Sequence, residues 1–114
     1  MHIVYKKISL DTLKSMSEKM FGGLIKAVVD VEKEIMVVDS ELHADEENLL
    51  LENGSDQENL WGINIYPDQI ENEKWIEFDS MINLRPSWGN KSRGVDDQMM
   101  REKIVKIVNK LVEK

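Results

Sequence analysis

A chain of 114 residues is the size of one ordinary domain, and 41% hydrophobic with 32% charged residues excludes both a membrane-embedded chain and a disordered one. A net charge of −7 argues against general nucleic-acid binding, which needs a basic face to neutralise phosphates. No cysteine is present, which excludes disulfides, thiolate metal sites and a cysteine nucleophile.

The opening residues, Met1 to Lys7, have no apolar signal-peptide core, and no run approaches the roughly 18 apolar residues of a membrane span, so a cytoplasmic location is expected. A short strand, Ile3 to Tyr5, precedes a helix with Ser9 as its N-cap and an Ile8–Leu13 staple. Leu10, Leu13, Met16, Met20 and Phe21 form its apolar stripe, and Gly22-Gly23 stops it near Met20. The seven methionines read as core filler rather than metal ligands.

Leu24 to Val31 alternates as a strand, with Ile25, Ala27, Val29 and Val31 on one face. Ile35 to Val38 follows after three residues, too few for a parallel crossover, so a hairpin is predicted. Asp39-Ser40 bulges or ends that strand, with Glu41 to His43 continuing it. Asp45 is the expected N-cap of a second helix, which buries Leu49, Leu50 and Leu51 and stops at Asn53-Gly54. A second hairpin pairs Leu60–Tyr66 with Trp75–Leu84. Its core faces are Trp61, Ile63 and Ile65, then Ile76, Phe78, Ile82 and Leu84; its other faces carry Gly62, Asn64 and Tyr66, then Glu77, Asp79, Met81, Asn83 and Arg85. After a turn-rich loop from Arg85 to Gly94, Asp96 caps a last helix, with Val95 and Met100 as its staple. Residues 1–114 thus read as a single α+β domain of order β-α-β-β-α-β-β-α. A mostly antiparallel sheet of four or five strands packs against two or three amphipathic helices.

Two charge runs oppose each other. Asp39, Glu41, Asp45, Glu46, Glu47, Glu52, Asp56 and Glu58 are uninterrupted by Lys or Arg, whereas Arg85, Lys91 and Arg93 follow with no acid among them. These runs are solvated surface, or they face each other or a partner.

Three readings of function follow. In the first, the loop offers arginines, hydroxyls and backbone N–H groups beside a helix start, the chemistry of an anion cradle. Arg85, Asn90, Ser92 and Arg93, with Asn64 and Asn83 on the polar sheet face, would bind an anionic small molecule or a protein partner; an exposed sheet edge makes a homodimer a further expectation. The bland counterpart is a glycine-rich connector pinned by Trp88. In the second, Glu77 and Asp79, two apart on one strand face, hold Mg or Mn; His43 is the base and Arg85 the charge stabiliser of a hydrolase acting on a phosphate-bearing substrate. The bland counterpart is a sheet face that is polar because it is solvated. In the third, the chain is a structural or regulatory protein whose interface is the acidic run. Gly62 hints at a close approach within its strand. His43 is not in a zinc spacing, His2 sits at the start of the chain, and no Ser-His-Asp set or Gly-x-Ser-x-Gly turn supports covalent catalysis.

Several blocks of sequence carry a resemblance: Ala27-Val28-Val29-Asp30-Val31-Glu32-Lys33, Glu41-Leu42-His43-Ala44-Asp45, Leu60-Trp61-Gly62-Ile63-Asn64, Asp79-Ser80-Met81-Ile82-Asn83 with Arg85-Pro86, and Gly89-Asn90-Lys91-Ser92-Arg93-Gly94. Through them nearly the whole chain resembles a family of small prokaryotic proteins catalogued only as a domain of unknown function. That resemblance implies kinship and assigns no role to any residue.

Overall fold

The computed structural model describes residues 1–20 and 22–114. In chain order the elements are β1 (His2–Val4), β2 (Ile8–Ser9), α1 (Leu10–Ser17), β3 (Ile25–Asp30) and β4 (Ile35–Ser40). They continue with α2 (His43–Glu52), β5 (Leu60–Ile65), β6 (Ile76–Glu77), α3 (Gln98–Leu111) and β7 (Val112–Glu113). A five-stranded antiparallel sheet has the order β1-β4-β3-β5-β6. With three helices against it, the fold is α+β, as the alternation of strand and helix patterns predicts.

Period-two alternation sends Ile25, Ala27 and Val29 of β3 to one face, where they meet Met36, Val38, Ile63 and Ile65 from neighbouring strands. Leu13 of α1 and Ile104, Ile107, Val108 and Leu111 of α3 close this larger core. On the opposite face Val28, Val37 and Leu60 pack with Leu50 of α2. The second face is therefore covered by a helix, not solvated along its length. A parallel pair, β2 with β7, ties the start of α1 to the end of α3 through Ile8 opposite Val112, a pairing too short to leave a sequence pattern.

Ser9 caps α1 as expected, accepting a hydrogen bond from the Thr12 N–H at 3.0 Å. The helix ends at Ser17 rather than near Met20, its last turns tightening into shorter-range bonds from Lys19 N–H to Met16 O and Met20 N–H to Ser17 O. Phe21, expected on the stripe, lies outside the described residues. The β3–β4 hairpin turns on Asp30, whose Oδ1 accepts from the Glu32 and Lys33 N–H groups, each at 2.9 Å. The bulge expected at Asp39 is present: its φ is 72°, and the pairing slips between Lys26 opposite Ser40 and Ala27 opposite Val38.

Four further sequence expectations are corrected. Glu41 to His43 do not extend β4, because α2 begins at His43 with Leu42 in the capping position; Asp45 lies in its first turn. Asp96 does not cap α3. Asp97 does, its carboxylate accepting from Met99 N–H at 3.0 Å, while Asp96 is taken up by the preceding loop. The largest correction concerns the second hairpin, which pairs only Asn64 with Glu77 and Ile65 with Ile76. Beyond Glu77 the chain leaves the sheet and makes short 3-10 turns at Met81–Asn83 and Pro86–Trp88. Leu84, expected in the core, is consequently exposed, and Asn83, expected on a solvated face, is fully buried.

Candidate functional site

A row of side chains crosses the α2 face of the sheet. Ser40 of β4 lies opposite Lys26 of β3, Lys26 opposite Asn64 of β5, and Asn64 opposite Glu77 of β6. Each strand offers this face only at alternate residues, so the register sets the row. α2 covers one end of it, and its start, together with the segment from Asp79 to Ile82 and Arg93, leaves a hollow of about 300 Å³ over Lys26 and Asn64. His43 and Ala44 enter from the first turn of α2. Leu24, Leu42 and Met81 give it apolar walls.

The chemistry of the hollow is mixed. Arg93 Nε pairs with Asp79 Oδ1 at 2.8 Å, both side chains being about half exposed. The first turn of α2 has no side-chain cap, so its leading N–H groups carry the partial positive charge of a helix start. His43 is buried, and its Nε2 lies 2.8 Å from the Ile63 carbonyl. A carbonyl only accepts, so Nε2 carries the proton and Nδ1 is left as the basic nitrogen. Burial lowers the imidazole pKa, the Ile63 bond opposing it; Lys26 and Arg93 add to the fall while Asp79 opposes it. The ring is thus neutral at ordinary pH.

Asn64 is 7% exposed. Its Nδ2 donates to Glu77 Oε1 at 2.9 Å and to the Asp79 carbonyl at 3.4 Å, which fixes the amide orientation and leaves Oδ1 without a partner. Glu77 Oε1 also accepts from the Tyr66 hydroxyl at 3.2 Å, so this carboxylate is engaged behind Asn64. Burial, then the Glu77 charge, raises the Tyr66 pKa.

The residues singled out in the sequence therefore separate into two groups. His43, Asn64, Asp79 and Arg93 come together at the hollow. Arg85 lies elsewhere, stacked 4.3 Å over Trp61 and 5.4 Å from Trp88, with its guanidinium donating to the Gln57 carbonyl at 2.7 Å and the Leu60 carbonyl at 2.9 Å. Asn90, buried, donates to the carbonyls of Asn83, Ser92 and Gly94 and accepts from the Asp96 N–H. Ser92 donates its hydroxyl to Asp96 at 2.5 Å. Asn83 bonds both backbone groups of Gly62 and donates to the Arg93 carbonyl. These bonds organise the loop that presents Arg93. Glu77 and Asp79 share no metal cage: among the described residues, no group of three or more His, Cys, Asp or Glu side chains could hold an ion.

The charge runs do meet in part, because Arg85 reaches the Gln57 carbonyl and lies close enough to Glu47 to act on it: burial raises the Glu47 pKa, opposed by its bond with Gln57 and then by the Arg85 charge. Lys26 was missed in the sequence, although a lone cation in the apolar run from Ile25 to Val31 is a readable signal for a lined hollow. The role of the α2 start was missed because Asp45 looked like the cap.

The model of the family described as a protein of unknown function, DUF5674, matches residues 2–111. The chain belongs to the DUF5674 family. No curated protein and no solved structure matches it. Among the described residues of this DUF5674 chain, no helix is long and apolar enough to cross a membrane.

Proposed function

We propose that this DUF5674 chain is a cytoplasmic binding module for a small anionic ligand, seated between the start of α2 and the sheet at β3 and β5. The observation that carries the reading is the meeting of Lys26, Arg93 and an uncapped helix start on one hollow of about 300 Å³. Asp79 offsets Arg93, which leaves the Lys26 charge and the helix start to draw in an anion. Of the loop residues expected to bind, Arg93 contributes directly, and Asn83, Asn90 and Ser92 hold the loop that carries it.

A divalent-metal hydrolase built on Glu77 and Asp79 has no comparable observation in its favour, since Glu77 is occupied by Asn64 and Tyr66. An interface along the acidic run is likewise less favoured, because Glu46 and Glu47 of that run are buried.

The test is thermal unfolding of the wild type in sodium phosphate or sodium acetate against sodium chloride at equal ionic strength. A ligand at about 100 times its dissociation constant adds about 2.7 kcal/mol, several degrees for a domain of this size. A saturable rise that chloride does not give, and that Lys26→Met with Arg93→Ala abolishes, is the expected result. No anion-specific rise in wild type would overturn the reading.

A further inference from the structure

We infer that the anion is the carboxylate of a small acid that also carries a hydrogen-bond donor beside that carboxylate, an α-amino or α-hydroxy acid with a branched apolar side chain. This rests on the anion-binding reading of the same hollow and goes further by naming the ligand. The cations account only for a negative charge. Two acceptors in the lining remain unexplained by it.

The first is Asn64 Oδ1, in a residue 7% exposed, with no partner. Turning the amide over would not help, because Nδ2 already faces two acceptors, Glu77 Oε1 and the Asp79 carbonyl. A buried acceptor left unmatched costs about 1–3 kcal/mol, so a donor brought to it contributes to binding. The second is His43 Nδ1, left basic because Nε2 is committed to the Ile63 carbonyl. Both residues line the hollow that holds Lys26 and Arg93, so cations and acceptors share one wall, with Oδ1 closed off from solvent until a ligand displaces its cover. A carboxylate with a neighbouring N–H or O–H satisfies both, and a bare carboxylate satisfies one.

The walls add the third element. Leu24, Leu42, Met81 and Ile82 line the same space, with Leu42 56% and Met81 62% exposed. A branched aliphatic side chain would shield them from water. The volume, about 300 Å³, lies at the small end of the range for ligand pockets and suits an amino acid better than a nucleotide.

The experiment is isothermal titration of the full chain with L-leucine, with 2-hydroxy-4-methylpentanoate, and with 4-methylpentanoate, which has the same carboxylate and side chain but no donor. The expected result is binding of leucine or the hydroxy acid at least about tenfold tighter than 4-methylpentanoate, since a site built to accept a hydrogen bond discriminates against an analogue lacking it. Which of the two wins distinguishes an ammonium from a hydroxyl donor. Asn64→Leu should narrow the preference, with His43 Nδ1 left as the one acceptor, while 4-methylpentanoate still binds and circular dichroism confirms the fold. Equal binding of all three overturns the inference and leaves the anion reading standing. So does a response to phosphate or acetate with none to these three acids. Silence from all five overturns both.

Discussion

Asn83 stands in for a β-strand beside Gly62: its Oδ1 accepts from the Gly62 N–H at 2.8 Å and its Nδ2 donates to the Gly62 carbonyl at 2.9 Å. One amide side chain thereby completes the ladder of β5 where β6 has already left it. The approach is close enough that a Cβ on Gly62 would fall 2.6 Å from Ser80 Cβ and Oγ. Gly62→Ala therefore forces the Ser80–Asn83 turn away from the sheet, at an expected cost of about 1–3 kcal/mol. Asn83→Ala should cost about as much, because it orphans two buried backbone groups. Urea unfolding of each variant measures this, and a change within about 0.5 kcal/mol in either would mean the turn is not held against β5.

This pair also shows where the sequence could be read and where it could not. Leu24 to Val31 was legible because a buried strand demands alternation, and its β-branched residues add to that signal. Ser9 was legible because its hydroxyl answers a local need three residues away. Trp75 to Leu84 alternates just as well, yet only Ile76 and Glu77 are strand. A 3-10 turn that buries Asn83 and exposes Met81 and Leu84 has nothing in its residue types to distinguish it from an edge strand. Gly62 was the one trace of the true path. Four residues of the hollow, His43, Asn64, Asp79 and Arg93, stood out in the sequence as chemistry; their meeting was not legible, because it depends on register and on where α2 starts.

Arg85 works as a clamp rather than as a free charge. Its two terminal nitrogens reach the Gln57 and Leu60 carbonyls while its plane lies over Trp61. Lysine can supply neither the fork nor the stacking plane. Arg85→Lys should destabilise the chain by about 1–3 kcal/mol despite keeping the charge. It should leave anion binding at the hollow unchanged, because Arg85 is not among the residues lining it. Loss of that binding at full stability would instead place Arg85 in the ligand site.

Glu46 is fully buried in α2, and burial raises its pKa to about 10. Its Oε2 accepts from the Ser40 N–H at 3.2 Å and its Oε1 has no partner. The folded chain therefore holds a proton that the unfolded chain releases above about pH 4.5. Stability is full below that pH and falls as pH rises toward the folded value. The accumulated loss is about 3 kcal/mol at pH 7. Glu46→Gln keeps an acceptor for Ser40 and does not titrate. Chemical unfolding should find it more stable than wild type at pH 7 to 9 and equal to it near pH 4.5. A pH-independent difference would show that Glu46 does not hold its proton.

His43 gives the opposite slope. Burial lowers its pKa, so the folded chain favours the neutral ring while the unfolded chain takes up a proton near pH 6.5. The contribution is present above the unfolded pKa and is lost as pH falls through the folded one, at no more than about 1.4 kcal/mol per pH unit. His43→Gln retains a donor able to reach the Ile63 carbonyl and removes the titration. Its stability relative to wild type should therefore improve steadily from pH 7 to pH 5 and stay constant from pH 7 to pH 8, a range in which Glu46, common to both chains, cancels. The same protonation would turn Nδ1 from acceptor to donor and so weaken an ammonium or hydroxyl held there. Tighter binding of leucine or of 2-hydroxy-4-methylpentanoate at pH 5 than at pH 7.5 would show that Nδ1 is not an acceptor for the ligand.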